Sequence, residues 1–139
     1  MAFRGVHYHS IDDKGRIIFP AKLRETLAEK SGSRKMFITY WKGHLKCYPE
    51  DEWCLLEDKV SKLSVFKEEA IRFHRAFMAP AEGCPIDSQG RMLIPPALRK
   101  KADLNKEIVL AGMIRMIEIW NKDHWEEEIN KAGENIDKY

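Results

Sequence analysis

The sequence predicts an α+β protein. Two β-β-α-β-β repeats are expected to share one core about a pseudo-two-fold, with a helical hairpin connector and a C-terminal helix. Three observations lead there. The phrase IDDKGRIIFP at residues 11–20 recurs 75 positions later as IDSQGRMLIP at 86–95, and a repeat on that scale has to be accommodated before any other feature. Each copy is a short run of small strands, too little to bury a stable core alone, so size favours one core shared by the two over two independent beads. The composition, 44% hydrophobic and 33% charged, supplies such a core and argues against a disordered chain.

The elements follow in order. A strand over 3–11 leads into the D-x-x-G-R turn, where Gly15 can take positive φ. An apolar strand covers 16–19, and Pro20 opens a short helix at the first-turn position proline tolerates. Two more strands close the copy, in MFITYW (36–41) and LKCYPEDEW (45–53), with Lys42-Gly43 at the turn. Copy two repeats this plan: a lead-in strand at 81–86, Gly90 in the turn, a strand at 91–94, a helix from Pro95, then IVLAGM (108–113) and IEIWNKDHW (117–125). Leu23-Arg24 matches Leu98-Arg99 at the same offset, and a three-residue length difference precedes the next match. The unmatched middle is helical. Trp53, Leu56, Val60 and Leu63 step by three and four, as do Phe66, Ala70, Phe73 and Phe77, with a break at Leu63-Ser64. Both stripes are packing faces, within one subunit or between subunits. A polar helix occupies 123–131. The expected divisions are 7–53 and 81–125 for the repeats, 54–80 for the connector, and 126–139 for the C-terminal helix and tail.

Several function classes are excluded. No apolar run approaches the roughly 20 residues needed to cross a bilayer, and MAFRGVHYHS lacks the apolar segment of a signal peptide. Cys47, Cys54 and Cys84 are odd in number and form no CxxC, which fits free thiols in a reducing cytoplasm. Cys47 and Cys54 read as buried small hydrophobes. There is no P-loop and no GxSxG elbow. His7 and His9 share a strand face that could meet a metal, but spacing offers no third ligand. Neither enzyme chemistry, a metal nor a cofactor is expected.

The candidate site is the repeated turn. Asp12 and Arg16 flank the first, Asp87 and Arg91 the second. One reading is structural: the aspartate caps the turn and the arginine closes an ion pair. The other is nucleic-acid binding. The first turn carries Lys14 and Arg16, with His9 on the strand before it and Lys22 and Arg24 on the helix after it. A two-stranded ribbon bearing such residues can enter a groove of double-stranded DNA, and arginine can grip a phosphate or a guanine edge. Ser88 and Gln89 make the second tip less basic, and Arg99, Lys100 and Lys101 on its helix compensate. By charge, copy one is the stronger DNA contact. The net charge of only +2 makes the position of this patch matter more than the total.

The twin D-x-x-G-R phrases resemble the AbrB-like swapped-hairpin domain, a resemblance that implies two repeats forming one intertwined, β-barrel-like core. Two such domains in one short chain resemble the MraZ family. FRG, DDKGRIIFPAKLR, LKCYPEDEW, IDSQGRMLIPPALR and KEIVLAGMIRMIEIW fall in the expected order along nearly the whole chain. The resemblance implies a cytoplasmic, nucleoid-associated transcription factor, usually a repressor. It implies binding to direct repeats upstream of the division and cell-wall gene cluster, which includes its own gene, and assembly into a closed homo-oligomeric ring. Multivalent contact would then offset the small net charge. The family's critical arginine falls on Arg16, with Lys14 next and Arg91 in the second motif, while Asp12, Gly15, Asp87 and Gly90 hold the turns. Swapped-hairpin folds also serve as antitoxin-like modules that bind a protein partner, and that is the alternative reading.

Overall fold

A computed structural model describes residues 2–64 and 66–139. Copy one runs through β1 (Val6–Ser10), β2 (Arg16–Ile18), α1 (Ala21–Lys30), β3 (Lys35–Trp41) and β4 (His44–Pro49). Two helices follow, α2 (Glu50–Ser61) and α3 (Glu68–Phe73), then a π-helical turn over His74–Met78. Copy two comprises β5 (Glu82–Pro85), β6 (Arg91–Leu93), α4 (Pro96–Lys101), β7 (Glu107–Gly112) and β8 (Ile117–Asn121). The helix α5 (Lys122–Glu134) comes last, before a single 3-10 turn. No described helix is long and apolar enough to cross a membrane.

Strand pairing joins the copies. A six-stranded sheet has the order β1-β7-β8-β4-β3-β5, and β2 pairs with β6 in a separate ribbon. The lead-in strand of copy one therefore adds to the closing strands of copy two, and the reverse holds for β5 on β3. In the ribbon Ile17 faces Met92, its own repeat equivalent. In the large sheet Lys46 faces its equivalent, Glu118. An approximate two-fold axis passes through both pairs, since only at a dyad can a residue meet its own counterpart.

The core has matching contributions from each copy. Ile11, Ile17, Phe19 and Leu23 are buried in one cluster with their equivalents Ile86, Met92, Ile94 and Leu98. Each fully buried apolar side chain of this size contributes about 1.5–3 kcal/mol, and neither copy could bury its share without the other. Leu23 and Leu27 sit four apart on the inward face of α1, and Pro20 sets its start. Lys42 (φ 44°) and Gly43 (φ 93°) form the two-residue hairpin turn between β3 and β4.

A second cluster lies on the outer face of β3 and β4, where α2, α3 and the π turn pack. Trp53 is buried there, stacked on Phe37 at 5.7 Å and beside Phe77 at 6.1 Å. Ala79 N–H bonds to His74 O at 2.8 Å, the wider loop of a π turn. The buried Thr39 hydroxyl donates to the Phe77 carbonyl in that turn at 2.6 Å. Thr39→Val removes the donor and leaves the carbonyl in an apolar site, so a loss of about 1–3 kcal/mol is expected in a urea titration.

Three expectations change. Phe66 does not join its stripe; it is 93% exposed, because it lies outside both helices, after the end of α2 at Ser61 and before the start of α3 at Glu68. Cys54 is exposed rather than buried, whereas Cys47 and Cys84 are buried. It follows Trp53 on α2 and faces away from the sheet that Trp53 covers. The lead-in strand of copy one is shorter than 3–11. Gly5 at φ 92° interrupts it, leaving Phe3 and Ile11 as isolated bridges to Ile114 and Ile17.

Candidate nucleic-acid interface

The two turns are built alike. Asp12 Oδ1 accepts from the amides of Lys14 at 3.0 Å and Arg16 at 2.8 Å, and Oδ2 accepts from Arg16 Nε at 2.9 Å. Asp87 does the same with Gln89 at 2.9 Å, Arg91 at 2.8 Å and Arg91 Nε at 2.9 Å. The amide bonds from Arg16 and Arg91 do most to hold these carboxyls below the usual carboxylate range. Gly15 at φ 83° and Gly90 at φ 80° close the turns. Both readings of the motif are thus compatible in geometry: the aspartate caps the turn and also orients the arginine. Each arginine spends Nε on its aspartate and keeps about a third of its side chain exposed. The Nη edge, the part that forks onto a phosphate, stays available.

Each turn is braced by the other copy. Phe19 N–H donates to Gly90 O at 2.7 Å, and Ile94 N–H to Gly15 O at 2.9 Å. The Arg99 guanidinium packs on Gly15, and Arg24 packs on Gly90. A methyl on Gly90 would stand 2.6 Å from Arg24 Nη1. Gly90→Ala therefore meets both an unfavourable φ and a guanidinium, and a loss of about 1–3 kcal/mol in thermal or chemical unfolding is expected.

This exchange alters the charge map. Arg99 belongs spatially to the first turn, not to the second as its position on copy two's helix suggests. The second turn receives Arg24, and also Arg34, whose Nη2 donates to Asp87 O at 3.0 Å. Arg34 carries no signal in the sequence; it is a lone arginine in the SGSR connection to β3. With Arg24 and Arg34 in place, the less basic sequence of the second tip no longer makes it the poorer in cations.

On the ribbon, Ile17 and Met92 face the core, while Arg16, Ile18, Arg91 and Leu93 share the outer face. Arg16 pairs with Leu93 and Arg91 with Ile18, so the two arginines are diagonal neighbours with Cα atoms about 7–8 Å apart. Ile18 and Leu93 are each about half exposed. Lys14 projects from the first tip and Lys22 is exposed on the first turn of α1. His9 stands apart on β1, half-buried and paired with Ile108. His7 Nε2 lies 3.3 Å from Arg4 O, and among the described residues no cluster suits a metal.

Matched basic turns on one ribbon, each held by the other copy, define a two-copy α+β protein with a basic outer face. A family model described as "MraZ protein, putative antitoxin-like" matches residues 2–76 and again 77–138. The chain is 39% identical over 137 residues to the transcriptional regulator MraZ of Oenococcus oeni, covering 98% of this chain and 92% of that one. It is 43% identical to that of Pediococcus pentosaceus and 42% to that of Ligilactobacillus salivarius, in both cases over 135 residues, 97% of this chain and 92% of the relative. The chain belongs to the MraZ family. It is a transcription-regulator family member and not an enzyme.

Proposed function

We propose that the protein regulates transcription by binding double-stranded DNA through the outer face of the β2–β6 ribbon. The observation that carries this reading is the pair of aspartate-oriented arginines, Arg16 and Arg91, on one exposed face. Lys14 extends the site at the first tip, Lys22 and Arg24 flank it, and Ile18 and Leu93 offer apolar contact to sugars or thymine methyls. His9 is the outlying member, one strand away. The exchange of β1 and β5 supports reading 7–53 and 81–125 as a swapped-hairpin pair, with 54–80 as connector and 126–139 as C-terminal helix and tail. In this reading the target is a set of direct repeats before the division and cell-wall gene cluster, including the protein's own gene, and binding represses it. A closed homo-oligomeric ring, cytoplasmic and nucleoid-associated, would present several ribbons to successive repeats and raise affinity through multivalency.

The test is fluorescence anisotropy with DNA from upstream of the protein's own gene, beside a scrambled duplex, over a salt series. Preference for the upstream DNA with a steep negative salt slope supports the reading. Equal, weak binding to both duplexes overturns operator recognition. The antitoxin-like wording of the family description favours one rival, a protein-binding module, and a partner that co-purifies at fixed stoichiometry would support it.

A further inference from the structure

We infer that a recess beside the second turn binds the phosphate or diphosphate group of a small molecule. The cavity has a volume of about 290 Å³ and lies between the C-terminal half of α1 and the segment leading to β3. Arg24, Leu27, Ser31, Ser33, Arg34 and Ile86 form most of its wall, and no carboxylate lines it. Arg24 Nε is buried without a hydrogen-bond partner among the described residues, so the charge of this guanidinium is not spent there on a carboxylate. Arg34 spends one Nη2 bond on Asp87 O and keeps its other donors.

The two serines add donors. Ser31 Oγ accepts from Ser33 N–H at 3.2 Å, and Ser33 Oγ accepts from Lys35 N–H at 3.1 Å. Each hydroxyl proton is then left to be given elsewhere. Gly32 has no heavy atom within 4 Å of where a Cβ would stand, so a ligand can approach its backbone closely. The carbonyl end of α1 opposes an anion, but with only about half a negative charge against two guanidiniums. Planar guanidinium forks and hydroxyl donors together match a phosphate oxyanion better than a carboxamide or an apolar ligand. A volume near 300 Å³ is at the small end of ligand pockets. The connection in copy one is three residues longer than in copy two, and the residue equivalent to Arg34 there is Lys106, which lacks the planar guanidinium fork.

An occupant would share its arginines with the second turn, since Arg24 rests on Gly90 and Arg34 holds the Asp87 carbonyl. Ligand and DNA would therefore weaken each other reciprocally; this consequence alone rests on the DNA-binding reading. A duplex phosphate carries the same chemistry, and the experiment separates the two sources.

Sodium pyrophosphate is titrated into the whole protein by calorimetry, without DNA, at constant ionic strength. Saturable one-site binding is expected, weakened at least about tenfold by Arg34→Gln, the loss of one charge-assisted pair. Arg72→Gln, on α3 and paired with Glu68, should bind as wild type. Ala28→Phe, one helical turn beyond Arg24 on the same face of α1, fills the exposed mouth while both arginines remain, and should abolish binding while preserving the melting temperature, which guards against a folding defect in Arg34→Gln. Absence of saturable binding up to about 10 mM, or equal binding by Arg34→Gln and wild type, overturns the inference. In a parallel duplex titration, Arg34→Gln weakening DNA while pyrophosphate fails to bind wild type assigns the recess to the duplex and equally overturns the small-molecule site. Because the first titration contains no DNA, its outcome is independent of whether the ribbon reads an operator.

Discussion

Arg16→Ala should weaken binding to upstream DNA by about tenfold to a hundredfold for a single ribbon, the range for losing one bidentate contact of about 1–3 kcal/mol. In a multivalent assembly the loss would compound across ribbons. The turn itself should survive, because Asp12 still accepts the amides of Lys14 and residue 16, and those backbone bonds close the loop. The variant therefore separates the two readings of the motif. If the arginine served only to close an ion pair, its removal would act weakly, since an exposed pair of this kind is worth about 0–1 kcal/mol. Anisotropy titrations should show a lower affinity, and a salt slope reduced by about one unit if the lost contact is to a phosphate. Lys62→Ala, at the far end of α2, is the control. A loss no larger than in that control would remove Arg16 from the interface. Arg91→Ala should have a comparable effect, because the two arginines share the ribbon's outer face and the second turn has gained Arg24 and Arg34.

The repeat was legible because its phrase carries chemistry at fixed spacing: an acceptor, a glycine able to take positive φ, an arginine, and a proline to start the helix. Element order followed from that phrase. Partnership between elements did not. Nothing local in VHYHS marks β1 for β7 rather than for β3, since long-range pairing depends on the other copy's surface and not on the strand's own alternation. The same gap misplaced Arg99. Its sequence position puts it on the helix after the second turn, while the dyad carries that helix to the first. Arg34 was invisible for a different reason: an arginine in a polar loop has no periodicity to reveal that it reaches a carbonyl 53 residues away. Phe66 shows where periodicity misleads. Its spacing to Ala70 is helical, but α3 begins only at Glu68, so the pattern extends past the element that would have buried it.

Glu118→Ala should cost about 3–5 kcal/mol in stability, the range for breaking a buried ion pair from one side. Glu118 is buried at the dyad of the large sheet. Lys46 Nζ lies 3.2 Å from its Oε2, His44 Nε2 lies 3.1 Å from the same oxygen, and Trp120 Nε1 donates to Oε1 at 3.0 Å. His44 and Trp120 stack at 4.2 Å, which closes the site further. Perfect repetition would place like residues face to face here, two lysines or two glutamates. The divergence to Lys46 and Glu118 replaces a repulsion with a pair, so the seam favours joining unlike copies. Burial pushes the Glu118 carboxyl up, but hydrogen bonds from His44 and Trp120, with the charges of His44 and Lys46, outweigh it and hold it at about 2 against an ordinary 4.5. A depressed folded value stabilises the protein above the unfolded one, so this contribution is complete above about pH 4.5 and drains away as pH falls toward 2. Urea midpoints for wild type should fall over that interval. Glu118→Ala should start lower at neutral pH and lose less on acidification, because it no longer has that carboxylate to protonate. Glu118→Gln keeps an acceptor for Trp120 and should lie between the two. Parallel acid profiles in wild type and Glu118→Ala would show that the acid sensitivity of the fold originates elsewhere, with Asp12 and Asp87, whose carboxyls are lowered in the same direction, the next groups to examine.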